Sequence, residues 1–359
     1  MFNVHLLPAS FGDSILLEYG NSVKKYILID GGPYFNFEIQ LKAMMKIAPD
    51  MKELELLVIT HVDIDHIDGT ILLLQQKNLP FTIKDVWFNG LQQMKQVDDD
   101  LLGVIQGEYV SVLLQKKQIP QNRHFQFGPV MVHDYANLPQ IVLDGGMKLT
   151  LLGPNRDGLN AMKAKWDEEV STIGDETAVT KRLEDDPRYH QDIDDLLGEP
   201  SIADWQQAIV KGDKSAANGS SIAFLAHYEQ KTCLFTGDLF TEYLMQGIDA
   251  LLQQSGQETL KVGAWKLAHH GSKKSTLEPL MKKISTRHVL VSSDGKRYHH
   301  PDKECMAKLI GHLGPDIHFH FNYKTSYNEI WARPDWQSQY HYKAFYPTNE
   351  HEPGLSISL

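Results

Sequence analysis

Thr60-His61-Val62-Asp63-Ile64-Asp65-His66-Ile67-Asp68-Gly69 places five hard or borderline metal ligands within eight residues. The stretch follows the apolar, strand-like segment Leu54–Thr60. A strand that ends in His-x-Asp-x-Asp-His leaves its polar side chains on a loop at the edge of a sheet, where alternate residues point the same way. His61 and Asp63 then converge on one cation while Asp65 and His66 turn towards a second. Two metals about 3.5–4 Å apart are a common hydrolytic arrangement. The bland alternative is a solvated acidic turn.

Further segments outward from this one repeat the pattern. Tyr26–Gly32 reads as a buried strand ending in Asp30 and a glycine turn. Lys231–Asp238 is an apolar run that delivers an aspartate, and Val262–Ser272 is another that ends in His269 and His270. Arg287–Gly295 is followed closely by His299-His300-Pro301. Strands that each end in Asp or His predict one site built from loops at a single sheet edge.

The order Gly12–Gly20, Ile27–Gly32, Thr60–Gly69, Asn218–Leu225, Leu234–Asp238, Leu267–Ser275 and Val291–Asp302 resembles the metallo-β-lactamase fold superfamily. Within it, the motifs are most similar to the hydrolase domain of the competence-type DNA-uptake protein ComEC and its free-standing relatives. The resemblance runs from about residue 2 to about residue 325. It implies an α+β chain folded as a four-layer αββα sandwich, residues 1–359 forming one domain with a helical insertion between two halves. It also implies two divalent ions (zinc, manganese or iron) held by His61, Asp63, Asp65, His66, Asp238 and one of His269 or His270. His270 is favoured for its Gly-Ser neighbours, Gly271 and Ser272, with the other histidine orienting a ligand. Asp238 would bridge the metals, and Asp30 would orient ligands without touching metal. Asp65, Asp238 and His300 are the expected catalytic residues, His300 contacting substrate or giving a proton to the leaving group.

Two departures from the superfamily's His-x-His-x-Asp-His pattern matter. Asp63 stands in the second histidine position, and its hard oxygen shifts preference from zinc towards manganese or iron. The superfamily's next histidine has no counterpart, since His124, His133, His190 and His227 lie in other surroundings. Asn218-Gly219-Ser220-Ser221 occurs there instead. Asn218 or Ser220 could offer a neutral oxygen, hold a phosphate or cap a turn, and turn capping is favoured. For Asp68 the choice is proton handling or capping a helix that starts near Ile67, with capping favoured. Ser293 and the turn around it could hold a phosphate oxygen.

Composition adds limits. With 359 residues and 42% hydrophobic content the chain can bury a large core. Cys233 and Cys305 are too few for a disulfide framework, and Cys233 falls in an apolar strand. No signal-like N-terminus and no long apolar run is evident, so a cytoplasmic chain with no membrane contact is expected. Net charge is −11, which argues against sequence-blind binding of nucleic acid. Yet Lys261–Arg297 holds nine basic residues against only Glu278 and Asp294. That stretch is either a cationic rim for an anionic substrate or a solvated helix face. Asn155–Gly212 is acidic, with helical spacing only near Leu159–Val170 and Ile202–Ile209, and reads as a helical insertion that lids or flanks the site.

The leading functional expectation is a phosphodiesterase or nuclease-like metallo-hydrolase in which a water activated by both metals attacks phosphorus. No Ser or Cys nucleophile with an attendant base is evident. The alternatives are hydrolysis of a lactone, thioester or β-lactam, and a non-catalytic chain that binds a protein partner through a degenerate metal site.

Overall fold

Every residue of the strand Ile15–Tyr19 is buried, and the two faces are buried for different reasons. A computed structural model describes residues 1–95, 105–171, 202–207, 211–349 and 352–359. Among them, two large sheets dominate. The first has six strands in the spatial order Leu355–Ser358, Phe2–Leu6, Ile15–Tyr19, Lys25–Ile29, Leu56–Val58 and Val86–Trp87. The second has eight, in the order Tyr342–Phe345, Ile317–Phe321, His288–Val291, Ala264–Lys266, Lys231–Phe235, Ala223–Tyr228, Lys148–Gly153 and Gln140–Val142.

Alternation along the strands assigns each face its layer. Ile15, Leu17, Ile27, Ile29, Leu56 and Val58 point inward and share a core with Leu149, Leu151, Phe224 and Ala226 of the second sheet. Trp87 meets Phe224 edge-on across that interface, with ring centroids 6.1 Å apart. Leu16, Leu28 and Leu57 point outward and pack with Met44, Ile67, Ile71 and Leu74 of the helices Phe37–Ile47 and Ile64–Gln75. On the far side, the helix Thr241–Ser255 lies so close to the strand Lys148–Gly153 that a Cβ at Gly247 would stand 2.5 Å from the Leu152 carbonyl oxygen. The expected α+β order of helix, sheet, sheet and helix results. Each fully buried Leu, Ile or Phe contributes roughly 1.5–3 kcal/mol to holding those layers together.

Parallel neighbours need crossover connections, and the helices supply them. Strands Lys25–Ile29, Leu56–Val58 and Val86–Trp87 are parallel, as are the five from Lys231–Phe235 to Tyr342–Phe345 in their sheet. Their carboxyl ends therefore share one edge of each sheet. The described parts of the expected insertion are helical, namely Arg156–Ser171 and Ile202–Gln206. Asn155 Oδ1 accepts the Gly158 amide at 2.9 Å and caps the first of them. Trp205 of the second packs between Trp331 and Trp336. Residues 172–201 and 208–210, on which a lid would depend, lie outside the described residues. Among the described residues, no helix is long and apolar enough to cross a membrane. Cys233 and Cys305 are free thiols, both buried.

One seam fixes the helix Ile64–Gln75 to the first sheet. The Gly31 amide donates to the His66 carbonyl and the Gly69 amide to the Gly32 carbonyl, each at 2.8 Å. A Cβ on Gly69 would stand 1.9 Å from the Gly31 carbonyl oxygen, so only glycine permits this approach. Gly69→Ala should cost about 3 kcal/mol in urea unfolding by overpacking. Gly311→Ala, which meets only the flexible end of Gln206, should change stability by less than about 1 kcal/mol. Equal effects would mean that the seam is not under this constraint.

Candidate metal centre

The carboxyl ends of the parallel strands gather the polar side chains. Asp30 follows Lys25–Ile29, and Thr60 and His61 follow Leu56–Val58. Asp238 follows Lys231–Phe235, His269 and His270 follow Ala264–Lys266, and Ser292 to Asp294 follow His288–Val291. The Ile222 amide donates to the Thr60 carbonyl at 2.9 Å and ties the two sheets together beside the cluster.

Asp238 lies in the middle of this group. Its Oδ2 is 3.5 Å from His66 Nε2, 3.8 Å from His269 Nε2 and 3.9 Å from His61 Nε2. His61 Nε2 is also 3.5 Å from Asp63 Oδ2. On the other side, Asp65 Oδ2 is 3.3 Å from His270 Nε2 and 3.8 Å from His66 Nε2. His61, His66 and Asp238 form one group whose donor atoms all lie within 4.8 Å, and Asp65, His66 and His270 form another. His269 and His270 thus aim at different carboxylates.

Each imidazole is held by its other nitrogen. His66 Nδ1 lies 2.8 Å from Asp30 Oδ2, and His270 Nδ1 donates to the Ser292 carbonyl at 2.9 Å. His61 Nδ1 faces Thr60 Oγ1 at 3.0 Å, and His269 Nδ1 faces Ser275 Oγ at 3.2 Å and Asp213 Oδ2 at 3.3 Å. Asp30 also accepts the Thr60 amide and hydroxyl, both at 2.7 Å. The opposite atoms, His61 Nε2, His66 Nε2, His270 Nε2 and Asp238 Oδ1, are buried and have no hydrogen-bond partner among the described residues. Buried polar atoms are rarely left unpaired. Buried imidazole nitrogens and a carboxylate oxygen aimed at one another are the ligand set a pair of divalent cations would satisfy once the imidazoles give up their protons.

Backbone strain collects at the same place. His269 and His270 both adopt left-handed conformations, with φ of 48° and 54°, and Asp30 has φ of 58°. Side-chain residues rarely accept that region, and such strain persists where the surroundings fix it.

Asp68 does not begin a helix. The helix runs from Ile64 to Gln75, its half-in residue is Asp63, and the His66 and Ile67 amides donate to the Asp63 carbonyl. Asp68 therefore sits inside the first turns, where burial and then Asp65 push its carboxyl up to about 7 against the pull of Arg297. Ser220 donates to the Ala217 carbonyl at 2.7 Å within its turn. Asn218 donates to Asp213 at 2.6 Å and stands 3.3 Å from His269 Nδ1, while its Oδ1 is buried and unpartnered. Ser272 Oγ accepts the Lys274 amide, and Ser293 Oγ accepts the Gly295 amide. The His300 ring is 5.2 Å from that of His269.

The basic rim is largely dissolved by its partners. Lys266 is fully buried, donating to Asp13 Oδ2 at 2.7 Å and to the Leu267 carbonyl. Lys273 pairs with Glu304, Lys282 with Glu278 and Lys283 with Asp249. Arg287 lies at the amino end of its strand, away from the cluster. Lys296 and Arg297 line a cleft of about 560 Å³ with Ser10, Phe11, Phe35, Asp294 and Tyr323.

Sequence reasoning did not single out Asp13, Asp213, Ser221 or Ser292. Asp13 faces His270 Nδ1 at 3.4 Å while its other oxygen takes Lys266. Ser221 Oγ accepts the Asp238 amide at 3.0 Å and stands 3.5 Å from His61 Nδ1. Asp13 stands in the Gly12–Gly20 motif. Asp213 stands in no motif at all.

The charges reinforce one another. Burial opposes charge on His66 and His270, but the carboxylates outweigh it. Asp238, Asp65 and Asp30 hold His66 well above its ordinary value, and Asp13, Asp238 and Asp65 hold His270 at about 9. Burial likewise opposes ionisation of Asp65, yet His66 and His270 hold it at about 2. Burial, then His269 and His270, push His300 well below the usual range, so its imidazole is neutral.

No protein-family model matches the chain, and neither does any curated protein. Solved structures are similar in layout. Zn²⁺-bound PqqB from Methylobacterium extorquens gives a TM-score of 0.41 at 11% identity over 100% of both chains. The metallo-β-lactamase fold protein YhfI from Bacillus subtilis gives 0.35 at 9% identity over 99% of both. CmlA, a diiron β-hydroxylase from Streptomyces venezuelae, gives 0.39 at 11% identity, covering 99% of this chain and 54% of its own. The chain thus spans about half the length of CmlA.

In metal-free protein, His66 and His270 bind protons more tightly folded than unfolded. The contribution of His270 is complete below about pH 6.5, the ordinary histidine value, and is lost as pH rises through about 9; His66 contributes with the same sign. The thermal midpoint in EDTA should fall between those limits, and Zn²⁺ or Mn²⁺, which require neutral imidazoles, should restore it. A metal-free midpoint that climbs over this range would contradict the charge assignment.

Proposed function

We propose that this chain is a metal-dependent hydrolase of the metallo-β-lactamase superfamily that cleaves phosphodiesters, and that it is related to the ComEC-like hydrolases. The convergence of buried, unpartnered His61, His66 and His270 Nε2 atoms on Asp65 and Asp238 carries this reading. One ion would be held by His61, Asp63 and Asp238, with His269 reaching the same carboxylate. Asp65, His66, His270 and Asp238 would hold the other. Bound there, two divalent ions bring a water's pKa towards neutrality and polarise the bond to be cleaved.

The residues of the chain do the rest. Asp63, Asp65 and Asp238 bring three negative charges against the four positive charges of two divalent ions, so the centre stays attractive to an anion. Asp30, Ser292, Thr60 and Asp213 fix the imidazole planes, and Asp238 joins the two halves of the centre. Neutral His300, whose Nδ1 has no hydrogen-bond partner among the described residues and lies 3.6 Å from Asp302, would contact the substrate rather than protonate its leaving group. Phosphodiesters are favoured over carbonyl substrates because Lys296 and Arg297 lie beside aromatic rings in one cleft. The Arg297 guanidinium lies 4.6 Å from the Phe11 ring centroid and 5.1 Å from that of Tyr298, and Tyr298 in turn adjoins His300. An anionic group with a planar substituent fits those side chains.

Metal content and Mn²⁺- or Zn²⁺-stimulated cleavage of bis-p-nitrophenyl phosphate test this. Asp238→Asn should lower kcat/KM by at least about 1000-fold, equivalent to roughly 4 kcal/mol. Arg297→Ala should raise KM about tenfold for this anion, a change of about 1.4 kcal/mol, and leave a neutral lactone unaffected. Metal bound with only lactones or thioesters cleaved would move the assignment to carbonyl hydrolysis. No metal and no cleavage would leave a partner-binding protein.

A further inference from the structure

A second group of histidines lies on the neighbouring strands His288–Val291 and Ile317–Phe321 of the second sheet. His288 opens the strand His288–Val291 and pairs in register with His318, the second residue of Ile317–Phe321. His320, two residues on, shares the face with His318. From His288 to Ser292 the strand climbs about 13 Å, and from Leu290, which pairs with His320, about 7 Å. The ligand nitrogens of His288, His318 and His320 all lie within 4.8 Å of one another. His288 Nδ1 and His320 Nε2 are 2.9 Å apart, and His318 Nε2 is buried with no hydrogen-bond partner among the described residues. Phe345 stacks flat against His320, with centroids 5.0 Å apart and planes 10° apart, and meets His318 edge-on.

We propose that His288, His318 and His320 form a separate binding site for one borderline divalent transition ion of the Zn²⁺ or Cu²⁺ class. A tetrahedral ion with bonds of about 2.0–2.1 Å spaces two nitrogens about 3.3 Å apart. The His288–His320 pair needs to open by only a few tenths of an ångström, and a turn of the His318 ring brings in the third donor. The ion would take the place of the proton now shared between two imidazoles. An all-imidazole set with no carboxylate selects Zn²⁺, Cu²⁺ or Ni²⁺ over Mg²⁺, Ca²⁺ or Mn²⁺. His288 and His318 are half-buried, which leaves an entry path for the ion and room for a water as fourth ligand. The rings also stay neutral, since burial and the nearby Arg287 lower both His288 and His318. Filled, the site would clamp His288–Val291 to Ile317–Phe321, and the first of these strands runs directly into Ser292, whose carbonyl holds His270. This site does not depend on the proposed hydrolase activity.

Zinc content after equilibrium dialysis of the full chain decides the matter, measured for wild type, His288→Gln, the double variant His318→Gln/His320→Gln, and Asp238→Asn. Wild type should carry one more ion than the double variant, and Asp238→Asn should keep that ion. His320 is buried, so the double variant could lose its fold. The half-buried His288→Gln therefore serves as the second probe and should weaken binding of this ion at least about 100-fold. Co²⁺ in place of zinc should give a tetrahedral visible absorption that His288→Gln removes and Asp238→Asn retains. Equal zinc content and equal Co²⁺ spectra in wild type and His288→Gln would overturn the proposal. Loss of ions only in Asp238→Asn would place all metal at the other centre and overturn it equally.

Discussion

Asp30 is the joint on which the metal centre depends. Its carboxylate takes the Thr60 amide, the Thr60 hydroxyl and His66 Nδ1 together. In one group it ties the end of one strand to the end of the next and to the helix that carries Asp65 and His66. The left-handed backbone at Asp30 turns the side chain into that position. Gly31 and Gly69 then allow loop and helix to touch through their backbones. A ligand imidazole works only when its unused nitrogen is committed elsewhere, and Asp30 makes that commitment for His66.

Burial would make this cluster costly if its charges were not matched. Asp65 and Asp238 stay ionised because the histidines face them, and His66 and His270 stay protonated for the same reason. Asp13 and Lys266 form a further buried pair directly beneath His270. Removing either partner of such a pair exposes the other's desolvation penalty. Cations at the centre would replace protons on the imidazoles, so the same carboxylates that stabilise the protonated cluster would stabilise the metal-loaded one. Stability and metal binding are therefore coupled through one set of residues.

The two sheets serve different ends. The inner faces of both form the shared core, with Trp87 meeting Phe224 across it. The outer faces hold the crossover helices that parallel strands require. That requirement brings the carboxyl ends of the strands to one edge, where the loops are free to carry polar residues without breaking the core. Elsewhere on the same strands, His288, His318 and His320 show what the pattern leaves over: a polar patch on an otherwise apolar sheet.

The sequence by itself determined the strand-end motifs, since strands rich in Ile, Leu and Val that stop at Asp or His are local features. Tyr26–Gly32, Lys231–Asp238 and Thr60–Gly69 all carry their residues to the edge their spacing implied. It did not determine where the helix after His61 begins, because Asp63 and Asp68 are both acceptable first-turn residues and only the fit of Gly69 against Gly31 selects between them. Nor could it separate rim from core among the lysines: Lys266 is one residue in a basic run until Asp13, which lies 253 positions away, meets it under the sheet. Asp213, Ser221 and Ser292 act through backbone or side-chain contacts made across strands, which no local pattern records. Residue type sets which atoms can bind a metal, but only the tertiary structure decides which of those atoms are left buried and unpaired.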